Sequence, residues 1–318
     1  MDYAKLGEYR ISRMTLGAAQ LGLDYGIANV VGRPARPAAF DILQAAVRGG
    51  ITCIDTAPVY GDSEEVIGSF LSSTSCRSDC TVITKLPALG LSPDATFTEI
   101  YEIVRRHATG SLHRLRLKSL PVYLVHRASD LDTYDSKLLD SLEKLKAEGL
   151  VGILGVSVYT PAEVERALEN DALEAVQVPI SVFDQRLLSL GLLERLRERR
   201  RVIFARSVFL QGLLLFPSSH LPSGLQEAAG PLADLQELCS EHDRSTADVA
   251  LAFVRDLPGV TSVVVGAETI AQLTENIRLM HSPRLSPVLY NQLLTRFADL
   301  PLELISPNMW QLKDRVGS

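Results

Sequence analysis

Short runs of Val, Ile, Leu and Thr recur along the chain. Each is followed by a stretch in which apolar residues return every three or four positions, the alternation that βα units produce. The runs predict strands near 14–18, 51–55, 81–85, 121–126, 151–157, 174–178, 201–206 and 261–266. The stretches between them read as helices. From Ser136 to Gly149, for example, Leu138, Leu142 and Leu145 share one face and Gly149 stands where a helix stops. Helix starts carry capping signals as well: Thr160 with Glu163, and Ser245 with Asp248, each place a hydroxyl at the N-cap and a carboxylate three residues on. Pro161 falls at the first helical position, where its missing N–H leaves no hydrogen bond unmade.

Eight strands alternating with helices, without a long linker, predict one closed (β/α)8 barrel, a TIM barrel, spanning residues 1–318 with long loops at its carboxyl-terminal face. An open doubly wound sheet is the competing architecture. Against it, the stretch from Gln20 to Gly26 after the first strand lacks the GxGxxG turn of a dinucleotide-binding helix. Two segments depart from the regular alternation, 207–230 and the tail after Pro301. The first is long for a loop and is expected to cover part of the molecule.

Composition narrows the partners. With 32 Lys+Arg against 38 Asp+Glu and no long basic run, the chain offers a phosphate backbone or an anionic membrane little to hold. It has no apolar stretch of about 20 residues and no signal-peptide core near its start, so a cytoplasmic location is expected. Cys53, Cys76, Cys80 and Cys239 are too unevenly spaced for a disulfide framework. The near pair Cys76 and Cys80 lacks neighbouring histidines, so reduced thiols are expected and no metal site.

Candidate chemistry collects at strand ends, where a barrel of this kind carries its active site. Three consecutive strands end in Asp55, Lys85 and His126. Each alone has an ordinary structural reading as turn cap, snorkelling cation or hydrogen-bonded imidazole. Buried together on adjacent strands they are costly unless they meet one another or a ligand. Tyr60, five positions after Asp55, is close enough to fold back over the barrel mouth. Beside Lys85 its phenol is expected to fall from its ordinary pKa of ~10 and to serve as an acid toward a carbonyl oxygen. Asp55 is then expected to pair with Lys85, and a neutral His126 to donate to the same oxygen.

The string DTAPVYGDSEEVIG, Lys85 in TVITKLP and His126 in VYLVHRASD together resemble the aldo-keto reductase superfamily. The resemblance runs from LGAAQLG to VVVGAETIAQLTENI. It implies a catalytic tetrad of Asp55, Tyr60, Lys85 and His126, and NADPH or NADH extended across the barrel mouth without a Rossmann fold. Cofactor contacts are implied at Gly17, at Ser157 in GILGVSVY and at Gln177 in AVQVP. Val158 stands where the family usually has an Asn, and a Gln at a strand end is often only a hydrogen-bonding residue. In ARSVFLQGLL, Arg206 replaces a Tyr that commonly stacks on the nicotinamide, while Ser207, Leu210 and Gly212 resemble the pyrophosphate loop. At the adenosine end only Glu275 and Asn276 clearly match the family's adenine contacts, and the chain offers Gly266, Ala267, Glu268 and Gln272 where the family often has the basic residues that grip a 2′-phosphate. Thr269 and Gln272 read equally well as a capping box.

The resemblance implies reduction of an aldehyde or ketone to an alcohol. LGAAQLGLDYGIAN and RSVFLQGLLL are similar to a bacterial subgroup associated with surface-sugar or secondary-metabolite biosynthesis, which points to a polar keto-sugar-like substrate. Alternatives are a sugar dehydrogenase working oxidatively, a nicotinamide-binding regulatory subunit, and a lyase in which Lys85 forms a Schiff base.

Overall fold

In a computed structural model, which describes residues 1–74 and 79–310, all eight expected strands form, with ends within two residues of those expected. A short hairpin, β1 (Tyr3–Leu6) and β2 (Tyr9–Ser12), precedes β3 (Met14–Gly17), β4 (Cys53–Asp55), β5 (Thr81–Leu86) and β6 (Leu120–Val125). Then follow β7 (Val151–Ser157), β8 (Ala175–Pro179), β9 (Val202–Arg206) and β10 (Val260–Gly266). Each of β3 to β10 pairs in parallel with its neighbours and β10 returns to β3, so the sheet closes into a (β/α)8 barrel and the open-sheet alternative falls away.

Strand alternation divides the apolar residues between two cores. Cys53, Ile83, Leu124, Ile153, Ala175 and Phe204 face the barrel axis. The residues between them, such as Ile54, Val82, Tyr123, Leu154, Val176 and Ile203, face the helices. The helical readings hold in detail. Leu138, Leu142 and Leu145 are buried on the helix Ser136–Ala147, and Thr160 and Ser245 accept hydrogen bonds from the amides of Glu163 and Asp248.

The hairpin was not legible in the apolar pattern. It closes the amino-terminal end of the barrel: Ile11 joins the axial cluster, and Ala4, Leu6 and Tyr9 pack against it. Gly152 leaves room for it, since a Cβ there would come within 2.4 Å of the Tyr9 hydroxyl. Ser12 and Thr52 tie it to the barrel by exchanging two hydrogen bonds of 2.9 Å.

The 207–230 segment leaves the carboxyl end of β9 through a kinked turn with positive φ at Ser207, Leu210, Gln211 and Gly212. It clasps the loop that follows β3: the Ile27 amide donates to the Gln211 carbonyl at 3.0 Å. After Pro301 the chain forms a short helix, Leu302–Ile305, with Leu304 and Ile305 buried. Of the near cysteine pair, Cys76 lies outside the described residues.

Candidate active site

At the carboxyl end of the barrel the inward row continues one step past the apolar cluster and turns polar. Two positions after Cys53, Ile83, Leu124, Ala175 and Phe204 stand Asp55, Lys85, His126, Gln177 and Arg206, and the inward row of β7 ends in Ser157. Closing the sheet therefore brings six polar groups to one ring.

Lys85 is fully buried and donates to both oxygens of Asp55, at 2.8 and 2.9 Å, and to the Thr56 carbonyl at 2.9 Å. Gln177 donates to the Asp55 carboxylate at 2.8 Å and accepts from the Ser157 hydroxyl at 3.4 Å. A buried cation and anion are costly singly, and this network leaves neither unpaired. Burial holds the ammonium below the ordinary lysine pKa, against the opposing pull of Asp55. All three ammonium protons have acceptors, an arrangement that favours the charged form over the free amine that the Schiff-base alternative requires.

Tyr60 is half-buried on the loop after β4, with its ring centroid 4.9 Å from the Lys85 Nζ. The His126 ring meets it edge-on, with centroids 6.0 Å apart. Gly22 lets this loop approach, because a Cβ there would come within 1.8 Å of the Tyr60 carbonyl oxygen. Burial, then Lys85 and Arg206, push the His126 pKa down to about 3, so the imidazole is neutral near pH 7. The tyrosine departs from expectation. Its phenol lies well above its ordinary value, through burial first and the Asp55 charge second, with Arg206 pulling the other way. Lys85 does not lower it here because the ammonium charge is balanced by a bidentate carboxylate.

A cleft of about 320 Å³ runs from this ring across the barrel mouth to the helix Ile270–Leu279. Gly17, Asp55, Tyr60, Gln177, Arg206, Ser207, Gly212, Gly266, Gln272, Glu275 and Asn276 line it. Lys85 and Ser157 lie behind its wall, and His126 stands beside Tyr60 off the wall. Leu210 is buried in the outer core and contributes no side chain to the cleft. Gln272 is held by a capping box: its side-chain carbonyl accepts from the Thr269 amide at 3.3 Å and from the Glu268 amide at 2.8 Å. Glu275 forms a two-pronged ion pair with Arg278, both contacts at 2.7 Å.

Gln20, Tyr25, Asn29 and Gln211 also line the cleft, and the sequence reading missed them. Gln20 lies on the short helix Ala19–Gly22 and the other three on the two clasped loops, where docking rather than periodicity decides what faces the site. A bare Gly266 is part of this arrangement, since a Cβ would meet the Gln20 amide at 2.3 Å. Gly17, Gly26, Gly212 and Gly266 leave the wall without side chains at four points, which suits an elongated ligand such as a nicotinamide dinucleotide. Among the described residues, no group of three or more His, Cys, Asp or Glu could hold a metal ion.

The model of the aldo/keto reductase family matches residues 13–293. A D-threo-aldose 1-dehydrogenase from a Pseudomonas species is 30% identical, covering 82% of this chain and 89% of its own. An NADH-specific methylglyoxal reductase from Escherichia coli is 25% identical, covering 85% and 90%. An aldo-keto reductase from Bacillus halodurans, solved in a holo form, superposes with a TM-score of 0.74 at 22% identity, covering 96% of this chain and 99% of its own. With the barrel, the strand-end ring and the family match in agreement, the chain belongs to the aldo/keto reductase family and is an NAD(P)H-dependent oxidoreductase.

Proposed function

We propose that the chain reduces an aldehyde or ketone to the alcohol, with Tyr60 as proton donor and Asp55, Lys85 and His126 as its partners. The observation that carries this reading is the buried Asp55–Lys85 pair with Lys85 Nζ 4.9 Å from the Tyr60 ring and a neutral His126 at the ring's edge. When bound, the nicotinamide supplies hydride to the carbonyl carbon. The protein's part is to complete the charge balance: the Tyr60 O–H gives its proton to the carbonyl oxygen as negative charge develops there. A neutral His126 can donate an imidazole N–H to the same oxygen and fix its direction. The Asp55–Lys85 pair is polar without net charge of its own, and we assign Gln177 and Ser157 to the carboxamide of the nicotinamide.

The residues we assign to the cofactor are Gly17, Ser157, Gln177, Ser207, Leu210, Gly212, Gly266, Gln272, Glu275 and Asn276, Leu210 through its backbone, while Arg206, which the family resemblance places beside the nicotinamide, is assigned to the substrate side. NADH and NADPH both suit the catalytic end, and among the described residues no basic side chain lines the far end to favour NADPH. The substrate is a polar, keto-sugar-like carbonyl compound of a biosynthetic pathway, which the phenols of Tyr25 and Tyr159 and the guanidinium of Arg206 at the mouth would hydrogen-bond. A sugar dehydrogenase working oxidatively is the second reading, favoured by the aldose dehydrogenase among the relatives. We assign the protein to the cytoplasm; no helix among the described residues is long and apolar enough to cross a membrane.

The test is Tyr60→Phe, which removes the phenolic proton and keeps the ring. Reduction of 4-nitrobenzaldehyde is expected to fall at least ~100-fold, in line with loss of a general acid. The nicotinamide nucleotide should still bind in a fluorescence titration. Turnover near that of the unmodified protein would overturn the assignment.

A further inference from the structure

Along the cleft wall, charge is unevenly placed. Among the described residues, the carboxylates on it are Asp55, Glu268 and Glu275, and the one cation is Arg206. Asp55 is taken by Lys85 and Gln177. Glu275 is taken by Arg278, and Glu268 lies at the opposite end, beside the helix Ile270–Leu279. Among the described residues, Arg206 pairs with no carboxylate. Its contacts are neutral: it donates to the Ser207 hydroxyl at 3.1 Å and to the Val158 carbonyl at 2.9 Å, and the Tyr159 ring covers one face at 4.2 Å.

A guanidinium carries five N–H donors, so these contacts use two and leave three. The half-buried group is thereby locked in one orientation with donors to spare, which is how arginine serves recognition of carboxylate and phosphate. Its position within the cleft is also informative. Its charge is felt at Tyr25, Tyr60, Lys85 and His126, the groups around the place where a carbonyl would react. The Asp55–Lys85 pair is neutral as a unit and His126 is uncharged, so the catalytic end of the cleft carries one net positive charge.

We propose that Arg206, with Tyr25 and Tyr159 beside it, forms an anion-recognising subsite that selects carbonyl substrates bearing a carboxylate or phosphate. This rests on the carbonyl-reductase reading above and narrows its substrate class. The pyrophosphate of the dinucleotide is the other anion within the same cleft, so the experiment must separate the two.

Two matched pairs of carbonyl compounds differ mainly in charge: 4-carboxybenzaldehyde with 4-nitrobenzaldehyde, and glyceraldehyde 3-phosphate with glyceraldehyde. The measured quantity is the ratio of kcat/KM within each pair, which cancels effects on the cofactor or on the chemical step common to both members. Arg206→Leu is expected to lower this ratio at least ~10-fold, through KM of the anionic member, as for loss of a charge-assisted hydrogen bond. Arg206→Lys, which keeps the charge, should restore most of it. A ratio unchanged in Arg206→Leu would overturn the proposal, and a fall in affinity for NADH alone would assign the guanidinium to the cofactor.

A measurement on the unmodified chain guards against misfolding of the variants. Raising ionic strength should weaken kcat/KM for the charged member of each pair and not for the neutral one, and equal salt dependence would again overturn the proposal. Calorimetric binding of 4-carboxybenzaldehyde separates the subsite from the reaction. If no aldehyde is turned over yet binding is lost in Arg206→Leu, the reductase reading fails and the subsite stands. Equal binding by both proteins would remove the subsite.

Discussion

The Lys85 Nζ lies 4.9 Å from the Tyr60 ring, yet the phenol stays above its ordinary pKa, through burial first and the Asp55 charge second. Sequence reasoning placed the two together but could not tell how the ammonium charge would be shared, since that depends on both Asp55 oxygens reaching Nζ. The arrangement yields a signed prediction. Asp55 raises the Tyr60 pKa, so Asp55→Asn should lower it and leave Lys85 as an unbalanced cation. A proton donor works while protonated: kcat/KM is full below its pKa and is lost above it. The alkaline limb should therefore move to lower pH in Asp55→Asn, as read from a profile over pH 7–11, together with a fall in the plateau. A limb that stays in place or moves upward would show that Asp55 does not control the phenol. Arg206 was legible in a similar, partial way. Its place at a strand end was readable, but its π partner was not: that is the Tyr159 ring, the last residue of GILGVSVY, where the sequence singled out only Ser157.

The eight barrel strands and their helices were legible because each strand is buried on both faces and reads as a continuous apolar run. The hairpin β1–β2 was not. Its strands are four residues long and carry Lys5 and Arg10, and its apolar side faces a barrel floor that exists only once the sheet has closed. A signal was present in Gly7, whose φ of 58° makes the turn between alternating residues. The clasp over the cleft was illegible for the same reason, since it joins loops far apart in sequence. Gly212 sits at its junction with φ 97°, and a Cβ there would come within 2.5 Å of the Ala28 Cβ. Gly212→Ala should cost about 1–2 kcal/mol from the left-handed backbone alone, with the clash adding to it. The effect should concentrate at the clasp. Hydrogen exchange at the Ile27 amide should quicken and the dissociation constant for NADH should rise, while exchange in the barrel strands changes little. Unaltered exchange across 24–32 would mean that the two loops do not hold each other.

Across the whole molecule, the architecture and the ring of polar strand ends follow from one rule, strand alternation carried into a closed sheet, whereas the cleft's polarity along its length comes from which loops meet there. The chain carries a net charge of -6, and the far end of the cleft shares that sign: Glu268 and Glu275 line it with Gln272 and Asn276, and among the described residues only Glu275 has a cation, Arg278, paired with it. If the adenosine half of the dinucleotide lies there, NADH presents a neutral ribose hydroxyl and NADPH a phosphate dianion. The dianion would face Glu268 without a basic partner on the wall, so NADPH should bind no more tightly than NADH by any large factor. Fluorescence titration of both nucleotides checks this directly. A dissociation constant for NADPH more than ~100-fold below that for NADH, about 2.7 kcal/mol, would contradict it. Glu268→Lys gives the complementary arm. Replacing a repelling carboxylate by an ammonium should improve NADPH binding ~10-fold relative to NADH, and the gain should shrink as salt is raised, because an exposed charge pair is screened within ~10 Å at 0.1 M ionic strength. A gain shared equally by both nucleotides would place Glu268 near a phosphate common to the two, and the ribose would then have to lie elsewhere along the cleft.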